Sequence, residues 1–136
     1  MIEKLSTSKI KNYLKGIIEC DKWYIGKIDK NQEKAICIYS NKRNLPKITN
    51  FKYLQSYSII PLTMLIRWTK NYNLAEVEAN KVFELIDCSS FFIDNFKCNI
   101  NCLYEGPIDL GSDETGVYEF SIEFNLLYRK DDKNVS

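Results

Sequence analysis

The chain has 136 residues, a length that suits one domain able to bury a sizeable core without disulfide or metal staples. Hydrophobic residues make up 45% and aromatic residues 13%, which excludes the low-hydrophobicity regime of disordered chains. With 19 basic against 18 acidic residues there is no general attraction to nucleic acid, and with no histidine the usual Ser–His and Cys–His nucleophiles are excluded.

The first residues, Met1 to Lys9, carry charges every few positions and hold no apolar run of signal-peptide length, and no later segment has the length of a membrane span. A cytosolic site of synthesis without membrane association is the expectation. Ile10, Tyr13, Leu14 and Ile17 follow the spacing of an amphipathic helix, with Lys9, Lys11 and Lys15 on its solvated face, and this helix is expected to end near Ile18.

Trp23 to Ile28 and Ala35 to Tyr39 are short β-rich runs separated by the polar stretch Asp29 to Lys34, a pattern that predicts a hairpin. Ser40 to Ser58 has no clear period and contains Pro46, which predicts a long loop of the kind that often carries function. Ile60, Leu62, Met64, Ile66 and Trp68 then share one face of a strand, with Pro61 placing its start near a strand end or sheet edge.

Asn73 followed by Glu76 predicts a helix N-cap with a capping-box partner, and Ala75, Ala79, Val82, Phe83 and Ile86 form one helical stripe. Phe96, Cys98, Ile100, Cys102 and Tyr104 alternate with more polar residues, as do Tyr118, Phe120, Ile122, Phe124 and Leu126. Both runs predict half-buried antiparallel strands. Between them, Glu105 to Gly116 is rich in turn formers and is expected to be an acidic loop. The elements together predict a single α+β domain over residues 1–130, a mainly antiparallel sheet of four to five strands with two principal helices packed on it, and a flexible polar tail over 131–136.

The five cysteines, Cys20, Cys37, Cys88, Cys98 and Cys102, show no CxxC spacing, so core packing is expected of them rather than zinc binding. Asp109, Asp113 and Glu114 are the carboxylates closest to a calcium or magnesium set, but their spacing lacks the alternation of an EF-hand loop. A carboxylate-metal enzyme built on that loop is the alternative to a solvated acidic loop; no catalytic residue, metal or cofactor is expected. Gly106, Gly111 and Gly116 lie between strands, outside the strand–glycine–helix context of a phosphate cradle, and are expected to serve turns.

Charge is segregated along the chain. From Ala35 to Ala75 there are six basic residues and no acid; from Glu76 to Glu123 there are eleven acids against Lys81 and Lys97. Lys42, Arg43, Lys47 and Lys52, with Phe51, Tyr53 and Tyr57 interleaved, have the composition of a single-strand nucleic-acid surface, with a loop contacting a protein neighbour as the preferred reading. A basic surface on one copy meeting an acidic surface on the next is the head-to-tail arrangement that closes into a ring. Lys42, Arg43, Lys47 and Lys52 on one side and Asp109, Asp113 and Glu114 on the other are the candidate interface residues.

Three stretches carry a family resemblance: Trp23 to Asp29, Ile60 to Tyr72 leading into Ala75 and Glu76, and above all Pro107-Ile-Asp-Leu-Gly-Ser-Asp-Glu-Thr-Gly-Val-Tyr-Glu-Phe-Ser-Ile-Glu-Phe124. From about Gly16 to Arg129 the chain resembles phage minor-capsid proteins that act as tail terminators, departing from them across Asn41 to Tyr57, where a more glycine-rich loop is expected. The resemblance implies a small α+β fold and assembly into a hexameric ring that ends the tail tube and joins tail to head. Its implied partners are further copies of itself, the tail tube protein and head–tail connector or neck proteins, with DNA passing through the lumen. The implied location is the virion, after assembly in the host cytoplasm. A head-completion or neck adaptor on the connector side is the second reading.

Overall fold

A computed structural model describes residues 4–41 and 57–130, in which two helices pack on one curled, mixed sheet. Helix α1 spans Thr7–Ile17 and starts where the Ser6 side chain accepts a hydrogen bond from the Lys9 amide at 3.2 Å. It buries Ile10 and Leu14 and ends at the extended residue Ile18 as predicted, with Tyr13 partly buried, while Ile17 of the predicted stripe is exposed. Strand β1, Lys22–Ile25, and strand β2, Ala35–Ser40, follow.

These two strands pair in parallel, with Lys22 opposite Ala35 and Ile25 opposite Ile38, so the predicted hairpin is overturned. The cause lies in residues 26–34. Gly26 turns the chain at φ 77° while its N–H donates to the Ile38 carbonyl at 2.9 Å. Ile28 is then buried with Ala35 and Cys37, against Tyr24, Tyr39 and Leu65, apart from the main core. Lys34, at φ 54°, closes the crossover by donating its N–H to the Trp68 carbonyl at 2.8 Å. Alternating apolar residues reveal which face a strand buries; they say nothing about the direction of its partner.

Strand β3, Ser58–Arg67, lies antiparallel to β2 and buries Leu62, Met64 and Ile66 on the helix side. Pro61 sits inside the sheet without breaking it. Its carbonyl accepts from Asn41 N–H at 2.9 Å, just beyond the last β2 pair, Ser40 with Leu62. Because the N–H and C=O of one strand residue point the same way, the missing donor falls on that frayed side and the ladder to the next strand is spared.

Helix α2 runs over Tyr72–Ile86 and buries Ala75, Ala79, Val82 and Ile86 of the predicted stripe, with Phe83 partly buried against the core. Its cap is Asn71 rather than Asn73: Asn71 Oδ1 accepts from the Leu74 amide at 3.1 Å, while the Thr69 hydroxyl accepts from the Asn71 amide at 3.2 Å. Glu76 accepts from the Tyr72 hydroxyl at 3.2 Å, so it is drawn away from a capping box.

After α2 come β4, Ser90–Ile93; β5, Phe96–Cys102; β6, Ile108–Ser112; and β7, Tyr118–Lys130. The strand order is β1-β2-β3-β7-β5-β4, with β6 beside β7, so the sheet has seven strands with one parallel pair instead of four or five antiparallel ones. Two of these strands were hidden. Strand β4 has only four residues and joins β5 through a tight turn at Asp94, φ 53°. Strand β6 occupies the middle of the expected acidic loop.

Strand β7 is the spine: β3 covers one edge from Glu119 to Tyr128, while β6 and β5 share the other edge in succession. Helix α1 closes the curl by touching β1, β2 and β4 together, and Tyr13 stacks on Phe91 at 3.9 Å between centroids. Lys9 pairs with Asp94 at the turn after β4. The core so enclosed runs from Leu5 through Phe124 to Tyr128, and each of its large aliphatic side chains contributes about 1.5–3 kcal/mol of burial. Cys37 and Cys98 are fully buried within the apolar clusters, where burial pushes both thiols up; Cys98 reaches about 11.

Candidate subunit-contact site

The acidic segment that follows β5 is held in place by a residue from another strand. Arg67, the last residue of β3, is 1% exposed and spends its guanidinium on two loops at once. On one side Nε donates to the Gln32 carbonyl at 2.9 Å and Nη2 to the Lys30 carbonyl at 2.6 Å, pinning the β1–β2 crossover. On the other side Nη1 donates to Asp113 Oδ2 at 2.5 Å, with Glu119 Oε2 at 3.4 Å, and Nη2 donates to the Thr115 hydroxyl at 3.1 Å. A buried guanidinium demands partners for its donors, and five oxygens supply them.

The turn between β6 and β7 is therefore built inward from its acid. Asp113 Oδ1 accepts from the Thr115 amide at 2.9 Å and from the Thr115 hydroxyl at 2.5 Å, an Asx-type turn that Gly116 completes at φ 84°. The Thr115 hydroxyl and then the Arg67 guanidinium hold the Asp113 carboxyl well below the usual carboxylate range, against a partial burial that acts the other way. Glu114, at the tip, is exposed.

At the other end of β6, Asp109 serves a second anchor. Its Oδ2 accepts from the Tyr72 hydroxyl at 2.7 Å and its Oδ1 from the Gly111 amide at 2.8 Å. The Tyr72 ring lies edge-on to Tyr118 at 5.1 Å and tilted against Phe120 at 6.0 Å. The bond to Asp109, more than any other influence, raises the Tyr72 hydroxyl to about 12. Between Asp109 and Gly111 the register to β7 shifts, and the extra residue, Leu110, projects outward, half exposed.

Asp109, Asp113 and Glu114 thus point to three different places: Tyr72, Arg67 and solvent. They do not converge on a common point, and among the described residues no group of three or more cysteines, aspartates and glutamates does. Lys42, Arg43, Lys47 and Lys52 lie outside the described residues. Nothing in the local sequence marks Tyr72, Thr115 and Glu119 as site residues, and Arg67 joins them from a separate strand. One signal for Arg67 is available there: a cation ending an apolar strand, with an acid one residue into the last alternating strand.

Edges of the sheet are blunted. The outer strands β1 and β4 have four residues each, and β6 carries a bulge and follows Pro107. Such edges resist strand addition, which leaves side-chain surfaces as the means of association. No helix among the described residues is long and apolar enough to cross a membrane.

A family model described as bacteriophage tail terminator protein matches residues 6–130, and the chain belongs to that family. No curated protein and no solved structure matches it. The chain is accordingly a structural component of a phage tail that contacts other tail or head proteins.

Proposed function

We propose that this member of the bacteriophage tail terminator family forms a ring, hexameric in number, that ends the tail tube and joins the tail to the head. The family match over residues 6–130 carries the reading, since it spans both helices and all seven strands. The geometry supports it through the acidic turn. Arg67 and Tyr72 fix both ends of the segment from Asp109 to Asp113, so Glu114 is presented on a rigid mount at little ordering cost on association.

In this ring the acidic turn of one copy faces the basic residues Lys42, Arg43, Lys47 and Lys52 of the next, a heterologous contact that closes by rotation. Asp113 acts as the post of the turn, Glu114 offers the outward charge, and Asp109, held by Tyr72 but exposed, adds to it. Other partners are the tail tube protein on one ring face and a connector or neck protein on the other. DNA passes through the lumen without sequence readout, and the protein resides in the virion after assembly in the host cytoplasm. The chain works as a structural subunit with no catalytic residue or cofactor.

Mass photometry of the purified protein across salt concentrations tests the reading. A six-copy species that weakens with salt and with reversal of Lys42 and Arg43 supports it. An oligomeric state indifferent to both removes the electrostatic contact.

A further inference from the structure

At the β1–β2 edge of the sheet the crossover leaves an open pocket of about 550 Å³, walled by Tyr24, Tyr39 and Ile28. Both tyrosines are half-buried against the small cluster around Ile28, and the exposed Lys27 and Lys30 stand beside them. Asp29 is the one acid of the lining, and its Oδ1 already accepts from the Asn31 amide at 2.9 Å. Glu119, whose charge reaches Tyr39, is engaged by Arg67. The wall is fixed in advance: Arg67 holds the Lys30 carbonyl, and the Gly26 N–H is bonded to Ile38. A preformed apolar hollow with a few polar groups at its rim is the usual shape of a binding site.

The complementary feature is on the far side of the sheet. Leu110 is the extra residue of the β6 bulge and is 52% exposed, as a side chain re-aimed by a bulge at a sheet edge often is. The segment from Glu105 to Glu114 around it holds four acids and no base. Its mount is rigid too, through Tyr72 on Asp109 and Arg67 on Asp113. Strands β2, β3 and β7 lie between β1 and β6, at about 4.8 Å per strand, so Leu110 cannot reach the pocket of its own chain.

We propose that Leu110 of one copy seats in the Tyr24–Tyr39 pocket of the next copy, with Asp109 facing Lys27 and Lys30. The occupant is a second copy because one chain carries an apolar side chain among acids at one edge and an apolar pocket beside two free cations at another, the placement that a heterologous contact needs in order to close by rotation. Both halves are ordered before they meet, which keeps the cost of association low. The proposal rests on the ring reading and assigns the residues at the centre of its contact.

The test places a photo-reactive side chain at the knob. Full-length protein with Leu110→p-benzoylphenylalanine is mixed with wild type, assembled alone and on tail tubes of the same phage, irradiated and mapped by mass spectrometry. Cross-links from position 110 to the Tyr24–Tyr39 stretch of a second copy are the expected result. Cross-links only to other parts of a second copy, only to the tube protein, or none between chains in samples that contain rings overturn this contact and leave the ring standing. Leu110→Asp, and Lys27→Glu with Lys30→Glu, change exposed positions and are each expected to melt near wild type and to lose the ring; folded variants that assemble as readily as wild type overturn the contact, and the cross-link decides should either variant unfold. A wild type that stays monomeric both alone and with tail tubes overturns the ring itself, and this contact with it.

Discussion

Arg67 and Asp113, 46 residues apart in sequence, meet with Nη1 and Oδ2 at 2.5 Å, and this pair ties the β1–β2 crossover to the turn before β7. Without it, two adjoining loops lose a common anchor.

Replacing Arg67 with methionine is expected to destabilise the fold by about 1–3 kcal/mol, since it strips the Lys30 and Gln32 carbonyls of their buried donor and leaves the Asp113 carboxylate without its cation. Urea denaturation measures it. Arg67→Lys is expected to recover little, because an ammonium cannot span the carbonyls of Lys30 and Gln32 and the Asp113 carboxylate together. A variant as stable as wild type contradicts the anchoring role.

The pH dependence has a fixed sign. Asp113 has a carboxyl pKa lower in the folded chain than in the unfolded one, so its contribution is fully present above the unfolded value of about 4 and is lost as pH falls from there toward the folded value. Thermal denaturation of wild type and Asp113→Asn is expected to differ most at neutral pH and to converge in acid. A gap that widens on acidification runs against the assignment.

Much of this architecture is legible in the sequence. The stripe of α2 and the alternation of β7 are long, strongly periodic and buried as their spacing predicts. Strand β4 escapes because four residues hold too few alternations to register, and the Asp94 turn after it is its one clear mark. The parallel pairing of β1 and β2 escapes because alternation does not reveal a partner's direction, and the crossover that sets it turns on Gly26 and Lys34 and on backbone contacts to Ile38 and Trp68. In the candidate site, Asp109, Asp113 and Glu114 are legible as acids in a turn-rich segment. Their partners Tyr72 and Arg67 are distant in sequence, and a charged residue reads as exposed until its oxygens are found.

Removing the Tyr72 hydroxyl as Tyr72→Phe keeps the ring contacts with Tyr118 and Phe120 and deletes the bond to Asp109. A small loss is expected in chemical denaturation, because the deleted bond lies where water can replace it. Tyr72→Ala also removes the aromatic packing and is expected to cost more. Equal losses for the two variants place the stabilisation in the ring alone.

Thiol reactivity separates the cysteines by position. Cys88 is exposed, whereas Cys37 and Cys98 are fully buried with thiols raised by that burial. Alkylation of the native protein followed by mass spectrometry is expected to mark Cys88 first and to reach Cys37 and Cys98 only after unfolding. Early labelling of Cys98 contradicts its burial in the main apolar core.

The proposed role of the subunit is to end a tail tube as a ring. Negative-stain imaging of the protein, alone and mixed with tail tubes of the same phage, tests this most directly. Six-membered rings, seated at the tube end when tubes are present, are the predicted result; a protein that stays monomeric in both samples and leaves tube ends bare contradicts it.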